Sequence, residues 1–265
     1  MTKSERGLPT SIFDIRGQVF LVTGATGLLG SCLCRGLASF GASVLVGGRD
    51  LGRAESLARE LQAQNLNATA VYLDLGDDGS IDEAVRASVA RYGHIDCLVN
   101  NAISHLPGNV ESYSIPDWEA SMRIDATGFF RVTQQVLNVM IPQHHGNIIN
   151  ISSVLGLVGP DPRLYPQGLD EMRPHYFFVK AGVVGFMRYL AVAYAQQGIR
   201  VNAISPGGFA PTDGSTSNEK FAKQVPMGRL ASPDEFLGAV VYLASPASSY
   251  VTGHNLIVDG GYSAW

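Results

Sequence analysis

Short apolar segments alternate with longer amphipathic segments along almost the whole chain. The apolar segments have the length and the Val and Ile content of buried strands, and the amphipathic ones have the length of helices. A strand, a helix and a further strand in succession favour a right-handed crossover and a parallel sheet with helices on both faces. The sequence therefore predicts an α/β fold with a doubly wound parallel sheet of about seven strands. We expect strands at 19–23, 43–47, 68–73, 97–100, 147–151, 200–204 and 255–258, and helices at 29–40, 51–64, 80–92, 116–140, 176–196 and 233–243.

Length, composition and charge narrow the class of protein. The 265 residues are 46% hydrophobic and contain no linker-like segment, so we expect one domain over 1–265 with an N-terminal extension at 1–15. The net charge of −4 argues against nucleic-acid binding. There is neither an uninterrupted apolar run of the ~18 residues that span a bilayer nor a signal-peptide pattern, so we expect no membrane partner. Cys32, Cys34 and Cys97 form no disulfide framework and have no metal-ligand spacing, which favours a reducing, cytoplasmic location.

A glycine-rich turn lies between the first predicted strand and the first predicted helix. Gly24, Gly27 and Gly30 would permit a tight turn, a close approach of the backbone to a pyrophosphate, and close packing of helix on strand. The N–H groups and the positive dipole end of the helix would then face the phosphates. This placement indicates a dinucleotide-binding fold of the Rossmann type, the alternative being an ordinary glycine-rich turn. Further candidate cofactor-binding residues in the turn are Thr26, Leu28 and Leu29.

The residues after the second, third and fourth strands complete the cofactor prediction. NAD-binding folds commonly place an acid near the end of the second strand, whereas this chain has Arg49 there and Arg53 one helical turn later. A guanidinium at this point favours the 2′-phosphate of NADP(H), although NAD(H) stays open because Arg49 could be an ordinary surface residue. After the third and fourth strands we expect cofactor contacts from Asp74, Leu75 and Asn101.

Tyr176 and Lys180 are four residues apart in a predicted helix, so their side chains leave the same face. A cation beside a phenol favours the phenolate and lowers the pKa of the tyrosine. Such a tyrosine can give a proton to a carbonyl oxygen or take one from an alcohol. By itself this spacing more often belongs to a solvated or half-buried helix face.

Taken in order, the motifs resemble those of the short-chain dehydrogenases/reductases, in their single-domain branch of about this length. The resemblance extends from Arg16 to Trp265. It depends on the glycine turn at 24–30, Asn100-Asn101-Ala102, Ser152-Ser153, Tyr176 with Lys180, the turn Ser205-Pro206-Gly207-Gly208, and the ending Val258-Asp259-Gly260-Gly261.

The resemblance implies roles for individual residues. Tyr176 would be the proton donor and acceptor, and Lys180 would hold the nicotinamide ribose and lower the pKa of Tyr176. Ser153 would hydrogen-bond the reacting oxygen of the substrate. The hydride would pass between the substrate carbon and the nicotinamide ring. The nicotinamide end of the site would be lined by Pro206, Gly207 and Phe209.

The chain departs from the family pattern at three places. Asp125 occupies the position of the family's fourth catalytic residue, an asparagine that acts largely through its backbone carbonyl, and it adds a charge near Lys180. Leu28 stands where the middle glycine of the turn is usual. Residues 159–175 form a proline-rich insertion, which we expect to lie over the active site, the alternative being a surface decoration or a subunit contact. A second mobile lid over the substrate is expected at 209–225.

These expectations describe an NAD(P)(H)-dependent oxidoreductase that interconverts a secondary alcohol and a ketone. The alternative is a dinucleotide-binding sensor or scaffold with weak catalysis, for which Asp125 is the only support. Family members usually form homodimers or homotetramers through the helices predicted at 116–140 and 176–196, and we expect the same here. The ending 259–262 is similar to that of gluconate-type dehydrogenases. A sugar, sugar acid or polyol as substrate also suits the polar side chains of the insertion, which are Asp161, Arg163, Tyr165, Asp170, Glu171 and His175.

Overall fold

The computed structural model describes residues 12–164, 172–210 and 219–264. The predictions for Tyr165, Asp170 and Glu171 in the insertion, and for 211–218 in the second lid, lie outside these residues.

The described residues form one parallel sheet of seven strands, which confirms the predicted fold class. The strands are β1 (Val19–Val22), β2 (Ser43–Gly48), β3 (Ala68–Tyr72), β4 (Cys97–Asn100), β5 (Gly146–Ile151), β6 (Ile199–Pro206) and β7 (Asn255–Val258). They lie in the order β3-β2-β1-β4-β5-β6-β7. The order reverses between β1 and β4, so their carboxyl ends flank the crevice in which such sheets usually bind ligands.

Helices cover both faces of the sheet. They are α1 (Leu28–Ser39), α2 (Leu51–Gln62), α3 (Asp78–Tyr92), α4 (Ile115–Met122), α5 (Phe129–Gln143), α6 (Pro174–Tyr194), α7 (Glu219–Ala222) and α8 (Leu237–Ala244). Apolar residues of α1, α2 and α8 form a core on one face of the sheet. Those of α3, α5 and α6 form a second core on the other face. The strands are thus held from both sides, which keeps their carboxyl ends in place.

The helical stretch expected at 116–140 is interrupted in its middle. Residues Arg123–Gly128 form a π-helix between α4 and α5. Gly128 packs so closely on the segment after β3 that a Cβ atom there would lie 2.1 Å from the Leu75 carbonyl oxygen. A π-helical turn holds one more residue than an α-helical turn and is frequent at functional sites. Asp125 lies in this turn.

Part of the predicted N-terminal extension packs on the sheet. Ile15, in that extension, is buried in the core that α1, α2 and α8 form on one face. The carbonyl oxygen of Ile12 accepts a hydrogen bond from the Ala247 N–H at 2.8 Å, so the described part of the extension packs on the domain. Helix α6 begins at Pro174, so the last two residues of the predicted insertion at 159–175 are helical. Proline suits the first position of a helix, where its missing N–H is not needed.

One helix, Pro174–Gln197, is long and apolar enough to cross a membrane, with a mean hydropathy of 1.4 over its most apolar window. Lys180 and Arg188 interrupt its apolar residues, which is why a search for uninterrupted runs misses it. Val184 and Met187 pack in the core, and a core helix passes the same test, so this is weak evidence for a membrane span. Only 39% of the window is buried, which leaves part of an apolar face exposed.

Candidate active site

One pocket of about 730 Å³ lies at the carboxyl edge of the sheet, beside β1, β4, β5 and β6. Every residue predicted to bind the cofactor lines it, together with Ser153, whereas Asp125 does not line it. The predicted residues that line it are Gly24, Thr26, Gly27, Leu28, Leu29, Arg49, Asp74, Leu75, Asn101, Ser153, Tyr176, Lys180, Pro206, Gly207 and Phe209.

The glycine turn forms one end of the pocket, and its backbone requires glycine at two places. Gly24 has a φ of +60°, and a Cβ atom there would lie 2.8 Å from the Ala102 Cα. A Cβ atom on Gly30 would lie 2.2 Å from the Gly24 carbonyl oxygen. Helix α1 begins after Gly27 without a side-chain cap and without an acid in its first turn. Its first N–H groups and positive dipole end therefore suit the phosphates of a dinucleotide.

Asn101 supports this turn rather than pointing freely into the pocket. Its Nδ2 donates to the carbonyl oxygens of Thr23 at 3.0 Å and Gly24 at 3.1 Å. The Thr23 hydroxyl in turn accepts from the N–H groups of Asn101 and Ala102, both at 3.0 Å. The end of β4 thus fixes the conformation of the glycine turn beside it.

Two arginines border the pocket after β2. Arg53 donates from Nη2 to the Thr26 carbonyl oxygen at 2.8 Å, so its guanidinium lies against the glycine turn. Asp50, which lies between the two arginines in sequence, caps α2 by accepting from the Arg53 N–H at 3.0 Å. Within the described ranges neither Arg49 nor Arg53 forms an ion pair. Both positive charges therefore stay available to an anion.

Lys180 is buried beneath the Tyr176 ring, with its Nζ 5.6 Å from the ring centroid. Its Nζ donates to the Ile151 carbonyl oxygen at 2.6 Å, and its own carbonyl oxygen accepts from the Ser152 hydroxyl at 2.8 Å. Burial lowers the pKa of Lys180 to about 8, while the charge of Asp125 acts in the opposite direction. The cation is thus anchored on the end of β5.

Tyr176 meets Ser153 and Arg173 in the same region. Burial raises the pKa of Tyr176, while a hydrogen bond with the Ser153 hydroxyl and the positive charge of Arg173 lower it. The expectation that the pKa lies below its ordinary value is therefore wrong for this structure. The Arg173 guanidinium lies 5.1 Å from the centroid of the Tyr176 ring. Its position three residues before Tyr176, at the start of α6, is the sequence signal that would have identified it.

Asp125 lies behind the pocket wall and is held by Ser104. One carboxylate oxygen accepts from the Ser104 N–H at 2.7 Å, and the other accepts from the Ser104 hydroxyl at 2.6 Å. The side chain is 3% exposed, so its charge acts on Lys180 with little screening. Ser104 lies four residues after the end of β4, near the edge of the sheet where such folds bind ligands, which could have indicated it from sequence.

His175 does not belong to a polar lid as expected, because its side chain is fully buried. Its Nε2 is 3.3 Å from the Ser104 Oγ, and its Nδ1 is 2.8 Å from the Tyr113 Oη. The Ser104 hydroxyl donates its proton to Asp125, so it accepts from His175 Nε2. Burial lowers the pKa of His175, so its ring is neutral. The unprotonated Nδ1 therefore accepts a hydrogen bond from the Tyr113 hydroxyl. That hydroxyl in turn accepts a hydrogen bond from the Ser121 hydroxyl at 2.8 Å.

This chain of hydrogen bonds joins four parts of the structure. Asp125 belongs to the π-helix, Ser104 to the segment after β4, Ser121 to α4, and His175 to the first turn of α6. Tyr176 is the next residue along α6. These hydrogen bonds therefore fix the first turn of α6, which carries the phenol of Tyr176.

Comparison with known proteins identifies the family of the chain. Residues 24–263 match the family model described as enoyl-(acyl carrier protein) reductase, a model of the short-chain dehydrogenases/reductases. The chain belongs to the short-chain dehydrogenase/reductase family. It is accordingly an NAD(P)-dependent oxidoreductase.

The relatives act on different compounds. The chain is 35% identical to the 3-oxoacyl-acyl-carrier-protein reductase of Aquifex aeolicus, over 93% of this chain and 98% of that protein. It is 33% identical to the gluconate 5-dehydrogenase of Gluconobacter oxydans, over 94% and 96%. A solved structure of a gluconate 5-dehydrogenase from Burkholderia cenocepacia, in complex with NADP and tartrate, superposes with a TM-score of 0.86. It is 31% identical, and the match covers 96% of this chain and 98% of that one.

We predict that the stability of this dehydrogenase/reductase depends on the pH through Lys180. Its pKa is about 8 in the folded protein and 10.5 ordinarily, so the unfolded chain binds this proton more tightly. The contribution of Lys180 to the free energy of unfolding should therefore rise between pH 8 and 10.5, by up to about 3 kcal/mol. Urea unfolding of the wild type and Lys180→Met at pH 7 to 10 measures this difference.

Lys220→Met, on the exposed helix α7, controls for the general effect of removing a positive charge. A difference between wild type and Lys180→Met that stays constant over this pH range would contradict the prediction.

Proposed function

We propose that the protein interconverts a secondary alcohol and a ketone, with Tyr176 as general acid and base. The observation that carries the proposal is the meeting of Ser153, Tyr176 and Lys180 in the pocket that also holds the glycine turn. The close-packed turn and the uncapped end of α1 fit a nicotinamide dinucleotide. Such a cofactor, when bound, supplies or accepts the hydride.

The proposed roles follow from the electrostatics of the site. The raised pKa of Tyr176 keeps it protonated at neutral pH, so it can donate a proton to a carbonyl oxygen. Ser153 would donate a hydrogen bond to the same oxygen and stabilise its developing charge. Lys180 and Arg173 would favour the phenolate that the reverse reaction needs. The role of Asp125 would be indirect. Its negative charge raises the pKa of Lys180 and so keeps the lysine more protonated than burial alone would allow.

A small polar, hydroxylated compound suits this site best. Ser104 and His105 supply polar groups to the pocket wall near Tyr176. Several dehydrogenases among the relatives are named for hydroxylated compounds, among them gluconate, D-arabinitol and D-threitol. We therefore favour a sugar acid, sugar or polyol as substrate. The insertion, whose described part contains the exposed ion pair of Asp161 and Arg163, would border its entrance.

NADP(H) is the favoured cofactor of the proposed reaction. Arg49 and Arg53 lie at the pocket after β2, and Asp50, the acid between them in sequence, caps α2. The related gluconate 5-dehydrogenase structure contains NADP. NAD(H) stays the alternative.

The protein is proposed to be a homodimer or homotetramer. Large apolar side chains are exposed on α5 and α6, namely Phe130 at 48%, Phe178 at 61%, Tyr189 at 63% and Val192 at 84%. A second copy covering these helices would remove this apolar surface from water. The cytoplasmic location expected from the cysteines stays a prediction.

The reaction is tested by Tyr176→Phe, which removes the phenolic proton and keeps the ring. We expect NADPH oxidation with keto-sugars and keto-acids, followed by absorbance, to fall at least about 100-fold, the usual size of a general-acid contribution. NADPH binding, followed by fluorescence, should persist. Wild-type protein that binds NADPH but reduces no compound of the panel would favour the sensor or scaffold instead.

The cofactor preference is tested by Arg49→Gln. Loss of a guanidinium that pairs with the 2′-phosphate should weaken NADPH binding about 10-fold and leave NADH binding nearly unchanged. Fluorescence titration with both cofactors measures this, and Arg91→Gln on the remote helix α3 is the control. Tighter binding of NADH than of NADPH by the wild type would show the preference to be wrong.

The assembly is tested by Val192→Glu, which puts a charge on the exposed apolar face of α6. We expect the mass in light scattering to fall to that of a smaller assembly or of the monomer, because a carboxylate is costly to bury. Tyr72→Glu, on the edge strand β3, controls for added charge on an exposed residue. An unchanged mass for Val192→Glu would exclude this face as the interface.

A further inference from the structure

We infer that Arg173 and His105 form a subsite for a carboxylate on the substrate, beside the reacting carbonyl. The inference rests on the proposed reaction at Tyr176. It narrows the substrate from hydroxylated compounds in general to those that carry an acid group, such as sugar acids and other hydroxy acids.

Arg173 lies next to the reacting centre without being part of it. Its guanidinium stacks over the Tyr176 ring, 5.1 Å from the centroid, and its Nη1 lies 2.6 Å from the His105 Nδ1. Arg173 itself does not line the pocket, but both of these contacts do. The guanidinium therefore lies at the rim of the pocket, beside the ring of Tyr176.

His105 orients the guanidinium and adds a second donor. Its pKa is lowered by burial and next by the charge of Arg173, so the ring is neutral. Its Nδ1 then accepts the Arg173 N–H, and its Nε2 carries the remaining proton. An arginine has five N–H donors in a planar fork, so the donors not used by His105 can bind both oxygens of a carboxylate.

The charges around this rim favour an anion. The positive charges of Arg49 and Lys180 lower the pKa of His105, as that of Arg173 does, whereas the negative charge of Asp125 raises it. The Asp125 oxygens are already bound by Ser104. In the described part of the chain no carboxylate forms an ion pair with Arg173. Among the described residues no acid pairs with this charge, so a substrate carboxylate would compensate it, whereas a neutral polyol would not.

Arg173 also lowers the pKa of Tyr176, as the proposed reaction uses it. That role alone would make its loss change kcat for every substrate alike. A carboxylate subsite instead predicts a change of KM and of binding affinity that depends on whether the substrate has an acid group.

The experiment compares aldonates of four to seven carbons with the alditols of the same length. Wild type, Arg173→Gln, Arg173→Lys and Arg91→Gln are assayed for NADP⁺ reduction and for ligand binding by titration calorimetry with NADP⁺ present. Arg91 is the matched control, because its guanidinium also stacks on a tyrosine, Tyr92, at 5.4 Å, but on helix α3.

We expect Arg173→Gln to raise the KM and Kd of the aldonates about 10- to 100-fold and to change those of the alditols by less than about twofold. Arg173→Lys should restore part of the affinity, and Arg91→Gln should match the wild type. Equal effects on acids and neutral compounds, or a wild type that binds no aldonate more tightly than its alditol, would overturn the subsite. Binding of aldonates through Arg173 without any turnover would leave the subsite in place and refute the proposed reaction instead.

Discussion

The site depends on the close contact between the turn after β5 and helix α6. A Cβ atom on Gly156 would lie 2.6 Å from the Lys180 carbonyl carbon, and the Ser152 hydroxyl donates to the carbonyl oxygen of the same lysine. The Lys180 side chain is 4% exposed, and its Nζ donates to the Ile151 carbonyl oxygen. The lowered pKa of the lysine follows from its burial. Tyr176 lies one helical turn earlier, above the end of β5.

Helix α6 also separates two electrostatic environments. On its inner side Asp125, Ser104 and His175 form a buried hydrogen-bond chain in which the imidazole is neutral and the carboxylate accepts two hydrogen bonds. At the rim of the pocket Arg173, the residue before α6, presents its positive charge and donates to the neutral ring of His105. A negative charge is thus held behind the reacting groups and a positive one in front of them, which suits an anionic substrate that enters from the rim.

The periodicity of the chain predicted the strands, their parallel arrangement and the edge at which the site lies, because apolar patterning reflects burial in the sheet. It did not predict the π-helix around Asp125, since one extra residue per turn hardly alters that pattern. It also assigned His175 to a polar lid, because a histidine in a proline-rich segment has the composition of a loop although the ring is buried under Tyr113 and Ser104. Spacing alone paired Tyr176 with Lys180 and overlooked Arg173, which lies three residues before the phenol.

The sequence by itself determined which side chains reach the carboxyl edge of the sheet, because the order of strands and helices and the glycine turn specify where each segment ends. Only the tertiary structure decided how those side chains behave. The direction of a pKa shift depends on the atoms that replace water around the group, and those come from segments far apart in the chain. Burial raised the pKa of Tyr176 where a neighbouring cation alone would have lowered it, and capping of α2 removed Asp50 from the cofactor side.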